Sequence, residues 1–482
     1  MLSGSFFRPD VRIQMVFRLR LFAVAIVFVV GALQLPAATR TWSGSSGTLW
    51  SDAGNWGGVA PAPGDDVVFP SGAGNVTNTN DFAPGTLFNS ITVSGQGYNI
   101  SGNAIALGAG GINADSPFIV GLISDQLNFS SITLAVSQTW SGIAHAERMV
   151  LGPLNVNGKT LTLNGGTFTF QSLTGTGSIV QNGDGTAGIS ASSYNGTLAV
   201  HAGLLSIFSG TAGDSQVDGG TLTLSKASTG NVTVTGSGTL GLDVTSTTSA
   251  SHTGDLRFIS APGDPAQLSL TGSVVNIVAA NVTGSVTLAN AKLVLNTGGP
   301  PPSGSVLTII NNDGTDAVAG TFLGLPEGAI LNSGGVSSRI SYTGGTGNDV
   351  TKTVLPNAVP DTTTVVLSSA STSLPGQNVT LTATVSATAA VPPGTVNFYD
   401  GTLLLGSVPL NSSGQAALTV PFASGSHLIT AAYLGSPLFA VSQATVQQTV
   451  LDASAIPALG SAALLFLAFA LGSAALMVSR RT

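Results

Sequence analysis

Cysteine is absent from the 482 residues, so neither a disulfide nor a thiolate metal centre can brace this fold. Charge is scarce too: Asp, Glu, Lys and Arg make up 7% of the chain, against roughly a quarter in ordinary soluble domains. Histidine occurs only at 145, 201, 252 and 427, in none of the spacings of a metal-binding helix or hairpin. No Gly-x-Ser-x-Gly elbow joins a strand to a helix, and no amphipathic helical period interrupts the long middle of the chain. What is abundant is glycine, 63 residues, together with Thr, Ser, Val and Asn. That mixture suits short strands joined by tight turns. With 43% apolar residues the chain is too hydrophobic to stay disordered.

The few charges are unevenly placed. Arg8, Arg12, Arg18 and Arg20 precede the first apolar run, and Arg480 and Arg481 follow the last. Between residues 39 and 479 there remain 8 bases against 20 acids. Such a surface repels phosphate backbones, so nucleic acid is not an expected partner.

Two apolar segments bracket this acidic middle. Leu21 to Leu35 lies behind the arginines and before Pro36-Ala37-Ala38, the order of a secretory signal, which we assign to residues 1–38. Met15 as the start would give a signal of ordinary length; an uncleaved anchor is the alternative. Residues 461–478 are uncharged and apolar all round, long enough as a helix to cross a bilayer, and the arginines after them keep that end cytoplasmic. Secretion machinery and a membrane are thus expected partners. Ile456, Pro457, Ala458 and Leu459, then the helix, then Arg480 and Arg481, resemble the tripartite sorting signals of the PEP-CTERM and IPTL-CTERM class over 456–482. The resemblance implies an exosortase-type sorting protease as partner. Ala458 stands where those signals usually carry Thr, and the Trp that commonly follows is missing.

The middle is nearly periodic. Gly-led strands begin at Gly166, Gly203, Gly220 and Gly238, which sets about 18 residues per coil with two coils in the first gap, and Gly272 implies two more. Phe168 with Phe170, and Leu222 with Leu224, would face inward. No coil buries that face alone, but stacked coils form a continuous core. The expected fold is all-β: a right-handed parallel β-helix over 39–353, then a sandwich. An antiparallel sandwich array is the competing architecture.

The same region resembles passengers built from autotransporter-associated β-strand repeats. The carrying segments are Thr41 to Trp56 with Pro61 to Phe69, residues 173–206, and residues 305–351. No translocating barrel follows them in this sequence. Trp42, Trp50 and Trp56 cluster at the start, either to stack on sugars or, the reading we prefer, to cap the open end of the solenoid. After a linker at 354–362, residues 363–450 look like a bacterial Ig-like repeat domain. Thr362-Thr363-Thr364, Pro375-Gly376, Pro392 to Gly406 and Gly425 to Gln443 carry that likeness, with Asp400-Gly401 as a hairpin turn and Tyr433 and Phe439 as core residues.

Chemistry is thin. Gly344 to Val350 matches one calcium-binding nonapeptide, but a single copy lacks facing ligands, so a closing turn is expected and no cofactor. Glu147 and Glu327 are the only glutamates, and Asp65-Asp66 belongs to the N-terminal motif, so no carboxylate pair recommends a glycosidase. The expectation is no enzyme but an exported surface or matrix protein of structural or adhesive type. A carbohydrate-binding envelope protein is the alternative, with surface glycans or other cells as partners, and a polysaccharide-degrading β-helix enzyme comes third.

Overall fold

The computed structural model describes residues 37–114, 125–142, 148–243, 250–252, 254–260, 264–272, 278–297, 301–333, 336–356, 358–388, 390–436 and 438–452. The signal at 1–38, but for its last two residues, and the whole of the sorting signal with its helix at 461–478 lie outside them. No helix of the described residues is long and apolar enough to cross a membrane.

Residues 39–354 form a solenoid of mostly parallel strands. One coil shows the plan. Thr167–Phe170 lies on face 1, Leu173–Gly175 on face 2 and Gly177–Gln181 on face 3, and Thr186–Ile189 then returns to face 1. Among the described residues face 1 is a separate sheet of 11 strands, about 48 Å along the stack at the usual strand spacing. Faces 2 and 3 merge into one larger sheet, because Ile105–Ala114 pairs with Ile132–Leu134 on one ribbon and Gln138–Gly142 on the other.

The register on face 1 runs Arg148, Thr167, Thr186, Leu204, Thr221, Thr239, so these coils take 19, 19, 18, 17 and 18 residues. The gap from Gly166 to Gly203 therefore holds two coils, as its length implied. The gap from Gly238 to Gly272 does not. Thr239–Asp243 pairs directly with Gln267–Gly272, making one coil of 28 residues. The extra length lies between the strands Thr239–Asp243, Ala250–His252, Leu256–Ile259 and Gln267–Gly272, and such length does not disturb a ladder set by strand pairing. Phe168, Phe170, Leu222 and Leu224 all point into the core and are buried. Each such burial contributes roughly 1.5–3 kcal/mol.

One corner, between faces 2 and 3, is stapled by side chains. Asp214 Oδ1 accepts from Asn231 N, Asn231 Oδ1 from Asp255 N, and Asp255 Oδ1 from Ser285 N, each at 2.8 Å. Every carboxylate or amide thus ties its coil to the next. The residue before each acceptor's partner is glycine for a steric reason: a Cβ on Gly230 would stand 2.3 Å from Asp214 Oδ1, and one on Gly254 2.3 Å from Asn231 Oδ1.

The parallel architecture ends at Val306–Asn312. That strand pairs in parallel with Val278–Val282 on one side and antiparallel with Asp349–Val354 on the other. Val336–Gly344 and Ile330–Ser333 continue antiparallel, so the competing antiparallel arrangement holds only for this closing meander. A sandwich follows. Thr363–Ser368, Asn378–Ser386 and Gln415–Pro421 form one sheet. Thr372–Ser373, Ser442–Val450, Gly425–Tyr433, Thr395–Asp400 and Leu403–Pro409 form the other. Val379, Leu381, Phe398, Ile429 and Tyr433 fill the space between them. The hairpin expected at Asp400-Gly401 is present, with Asp400 facing Leu403.

Candidate functional site

The sequence singles out the solenoid's start, and the structure shows what the three tryptophans do there. Thr39–Thr41 adds a rung to face 3 by pairing with Asp66–Phe69, and Leu49 bridges Thr79 at the edge of face 1. Between these rungs the chain folds over the open end, turning through Ala53–Trp56, a short 3-10 segment capped by Asp52. Trp42 and Trp50 are wholly buried and Trp56 is 5% exposed. Their rings stack on one another and on the first coils: Trp42 lies 5.0 Å from Trp56, and Trp50 lies 5.4 Å from Phe69, 5.5 Å from Phe88 and 5.7 Å from Phe129. Each indole N–H is used, by Asn75 O, Asn78 Oδ1 and Trp50 O at 2.7, 2.7 and 2.8 Å. No ring face is open to a sugar. Of the two readings of Trp42, Trp50 and Trp56, the carbohydrate contact is therefore corrected: burial spends these rings on covering the apolar end of the stack, as the preferred reading had it.

The carboxylates nearby are divided in the same way. Asp65 accepts from Arg40 Nε at 3.0 Å, Ala38 N at 3.1 Å and Ala62 N at 3.0 Å. Burial alone would raise its pKa, but the bonds from Ala62, Arg40 and Ala38 together hold it below the usual carboxylate range. Asp66 faces the next coil instead and accepts from Asn89 Nδ2 at 2.7 Å and Ser90 Oγ at 2.5 Å. The pair is a clamp between rungs, each member with its own set of donors.

The nonapeptide-like stretch is also occupied by its own backbone. Asp349 Oδ1 accepts from Asn312 N at 2.9 Å and Asp349 Oδ2 from Thr346 N at 3.1 Å. Asn348 Nδ2 donates to Gly314 O at 2.8 Å. These bonds fix the hairpin that closes the solenoid. Among the described residues no cluster of three His, Asp or Glu side chains is placed to hold a metal. Of the histidines, His201 Nδ1 lies 2.7 Å from Asp218 Oδ1 on the exposed surface. His427 sits between Asp400 Oδ2 at 2.6 Å and Ala423 O at 2.9 Å. His145 and Glu147 lie outside the described residues.

The solenoid's other end holds what the sequence did not announce. The connecting stretch after Val354 is docked: Leu355 N donates to Ser337 O at 2.9 Å and Val359 N to Ser337 Oγ at 2.7 Å, while Asn332 Nδ2 donates to Val359 O at 2.9 Å. The sandwich then sits directly on the closing meander. Val441 N donates to Ile330 O at 2.8 Å, Asn290 Nδ2 donates to Thr402 O at 3.1 Å, and Leu323, Tyr399 and Ala432 share a buried cluster. A cavity of about 280 Å³ remains at this junction, lined by Leu293, Leu323, Leu331, Asn332, Val441 and Gln443 among others. Lys352 is 6% exposed on the closing strand, paired across to Leu307 and Ile340, and burial pulls its pKa down. No sequence signal marks the contacts of Val441, Asn290 and the Leu323 cluster, because their partners lie in different modules.

The sorting residues Ile456, Pro457, Ala458, Leu459, Arg480 and Arg481 lie outside the described residues. Residues 364–451 match the family of bacterial Ig-like domains (group 3), a kind of module typical of surface and extracellular proteins. Comparisons with curated proteins and with solved structures found no match.

Proposed function

We propose that this chain is an exported bacterial surface or matrix protein whose described part is a stiff, non-enzymatic rod of structural or adhesive type. The observation that carries the reading is the closed construction of that rod. Aromatic packing covers one end of the solenoid, and an Ig-like module of extracellular type is docked on the other through hydrogen bonds and a small buried cluster. A rod of this kind transmits position and load, and its long faces present repeated side chains to a partner. Right-handed winding is expected, as for nearly all parallel crossovers. The signal at 1–38 brings the chain to the secretion machinery, and the helix at 461–478 holds it in the membrane with the Ig-like module nearest the bilayer. The likeness of 456–482 to PEP-CTERM and IPTL-CTERM signals supports release by an exosortase-type protease, and the likeness of 39–353 to autotransporter-associated repeats supports an exported passenger. The acidic surface disfavours nucleic acid.

Two epitope tags test this, one between Ser412 and Ser413 in the exposed turn of the Ig-like module and one after Thr482. Both tags in the membrane fraction indicate a retained anchor. A surface or medium fraction carrying only the first indicates sorting with cleavage. Recovery of both in the cytoplasm refutes the proposal. The second reading, a carbohydrate-binding envelope protein, loses its tryptophans to the cap but keeps the solenoid faces.

A further inference from the structure

Face 1 differs chemically from the rest of the acidic solenoid. Its side chains alternate, and between the rungs of Thr167 and Gln267 the two outward columns contain only Thr, Ser, Gly, Leu and Gln. Short uncharged side chains on a ladder of fixed spacing make a flat, hydroxyl-rich surface. At its margin stands one aromatic ring. Phe208 follows Leu204–Ile207 in the outward phase and is 51% exposed, although its neighbours Phe168 and Phe170 are buried. The ring leans onto the preceding rung, where Gly188 leaves it room: a Cβ there would lie 3.3 Å from Phe208 Cε2 and 3.9 Å from Thr169 Oγ1. Gln171, one coil further back at the same margin, is oriented by donating from Nε2 to Asn128 Oδ1 at 2.9 Å.

We propose that the outer surface of face 1 around Phe208 binds a neutral polysaccharide. A pyranose ring is amphipathic in the way this surface requires: its C–H face packs on an aromatic ring while its hydroxyls bond to nearby hydroxyls and amides. Between those rungs the two columns carry no cation, Lys292 continuing the first of them only beyond Gln267, and Asp243 stands in the outward column of Phe208. An anionic polymer is therefore disfavoured, as it is by the solenoid's acidic balance. Each of these rungs presents at least one Thr or Ser hydroxyl to successive sugars of an extended chain. This inference deepens the adhesive and carbohydrate-binding readings and rests on them for its extracellular setting, but it concerns the purified protein and stands apart from where the cell puts it.

The test is sedimentation of the purified full chain with insoluble β-1,4-glucan, β-1,3-glucan and chitin, and gel retardation in alginate as the anionic comparison. Binding to at least one neutral polymer and none to alginate is expected. Phe208→Ala should weaken that binding about tenfold or more, and Phe208→Trp should retain it. Phe208 is exposed, so both variants keep the fold, and unchanged thermal unfolding verifies this. The proposal is overturned if the folded protein binds none of the three neutral polymers, if it prefers alginate, or if Phe208→Ala binds as well as the parent. Failure here with surface fractionation intact removes the glycan site alone; cytoplasmic recovery of both tags removes the surface reading alone.

Discussion

Replacing Trp50 by alanine tests the cap most directly. The side chain is wholly buried, touches Trp56, Phe69, Phe88 and Phe129, and donates to Asn78 Oδ1. Truncating a buried tryptophan typically costs about 3–5 kcal/mol. The upper part of that range applies here, because Asn78 Oδ1 loses its donor in a site where Asn78 Nδ2 already lacks a partner. A loss near 4 kcal/mol is a large fraction of the 5–15 kcal/mol that holds a typical domain folded. In a solenoid it should act locally, since each coil is stabilised mainly by its neighbours. Hydrogen exchange followed by mass spectrometry should show backbone amides of residues 39–102 losing protection while those of 204–242 keep it. Trp50→Phe should recover most of the packing and lose only the hydrogen bond, about 1 kcal/mol. The uncovered edge should also promote association, seen as light scattering that grows with concentration. Protection unchanged at the first coils, or lost uniformly along the solenoid, would refute the cap or the local coupling respectively.

Three further outcomes are expected. Lys352→Met should raise stability by about 1 kcal/mol at neutral pH in urea titrations, because a buried ammonium is replaced by an apolar chain of similar volume. Burial lowers the folded pKa of Lys352 below its unfolded value, so the unfolded chain holds more protons between the two values and the parent gains stability as pH rises there. The advantage of Lys352→Met should therefore shrink as pH approaches about 10, and an advantage that grows would contradict this. Asn231→Asp keeps the acceptor for Asp255 N but inserts a third carboxylate between Asp214 and Asp255. With charges about 5 Å apart at the surface it should cost roughly 1–2 kcal/mol in low salt and much less in 1 M salt, a difference that thermal unfolding measures. Gly324→Val forces a branched residue into the φ of +71° and places its Cβ 3.0 Å from Ala432 Cβ. The cost is about 1–2 kcal/mol at the junction, and limited proteolysis should then cut within 355–362 faster than in the parent.

How much of this was legible in sequence depended on the range of the cause. The 18-residue repeat around Gly203, Gly220 and Gly238 marked face 1 because strands of one ribbon recur at nearly constant intervals. The Asx ladder was equally present, as Gly-Asp, Gly-Asn, Gly-Asp and Gly-Ser at 213–214, 230–231, 254–255 and 284–285, but corners of different length hid its period. The same irregularity made the stretch up to Gly272 look like two coils. The C-terminal sandwich was readable from turn residues and alternation, and its Ig-like character from the resemblance of residues 363–450 to that family.

Composition and local pattern determined the all-β class, the stacked coils and the sandwich, since alternation and turn chemistry act within a few residues of the chain. Only tertiary structure decided what the tryptophans face, because a ring that could stack on a sugar and one that covers a core have the same sequence. It decided equally that the two modules are docked, that Lys352 is buried, and that Phe208 rather than a tryptophan is the aromatic left in solvent on face 1. Burial is set by what packs on the other side, and here much of that partner surface comes from strands distant in the chain.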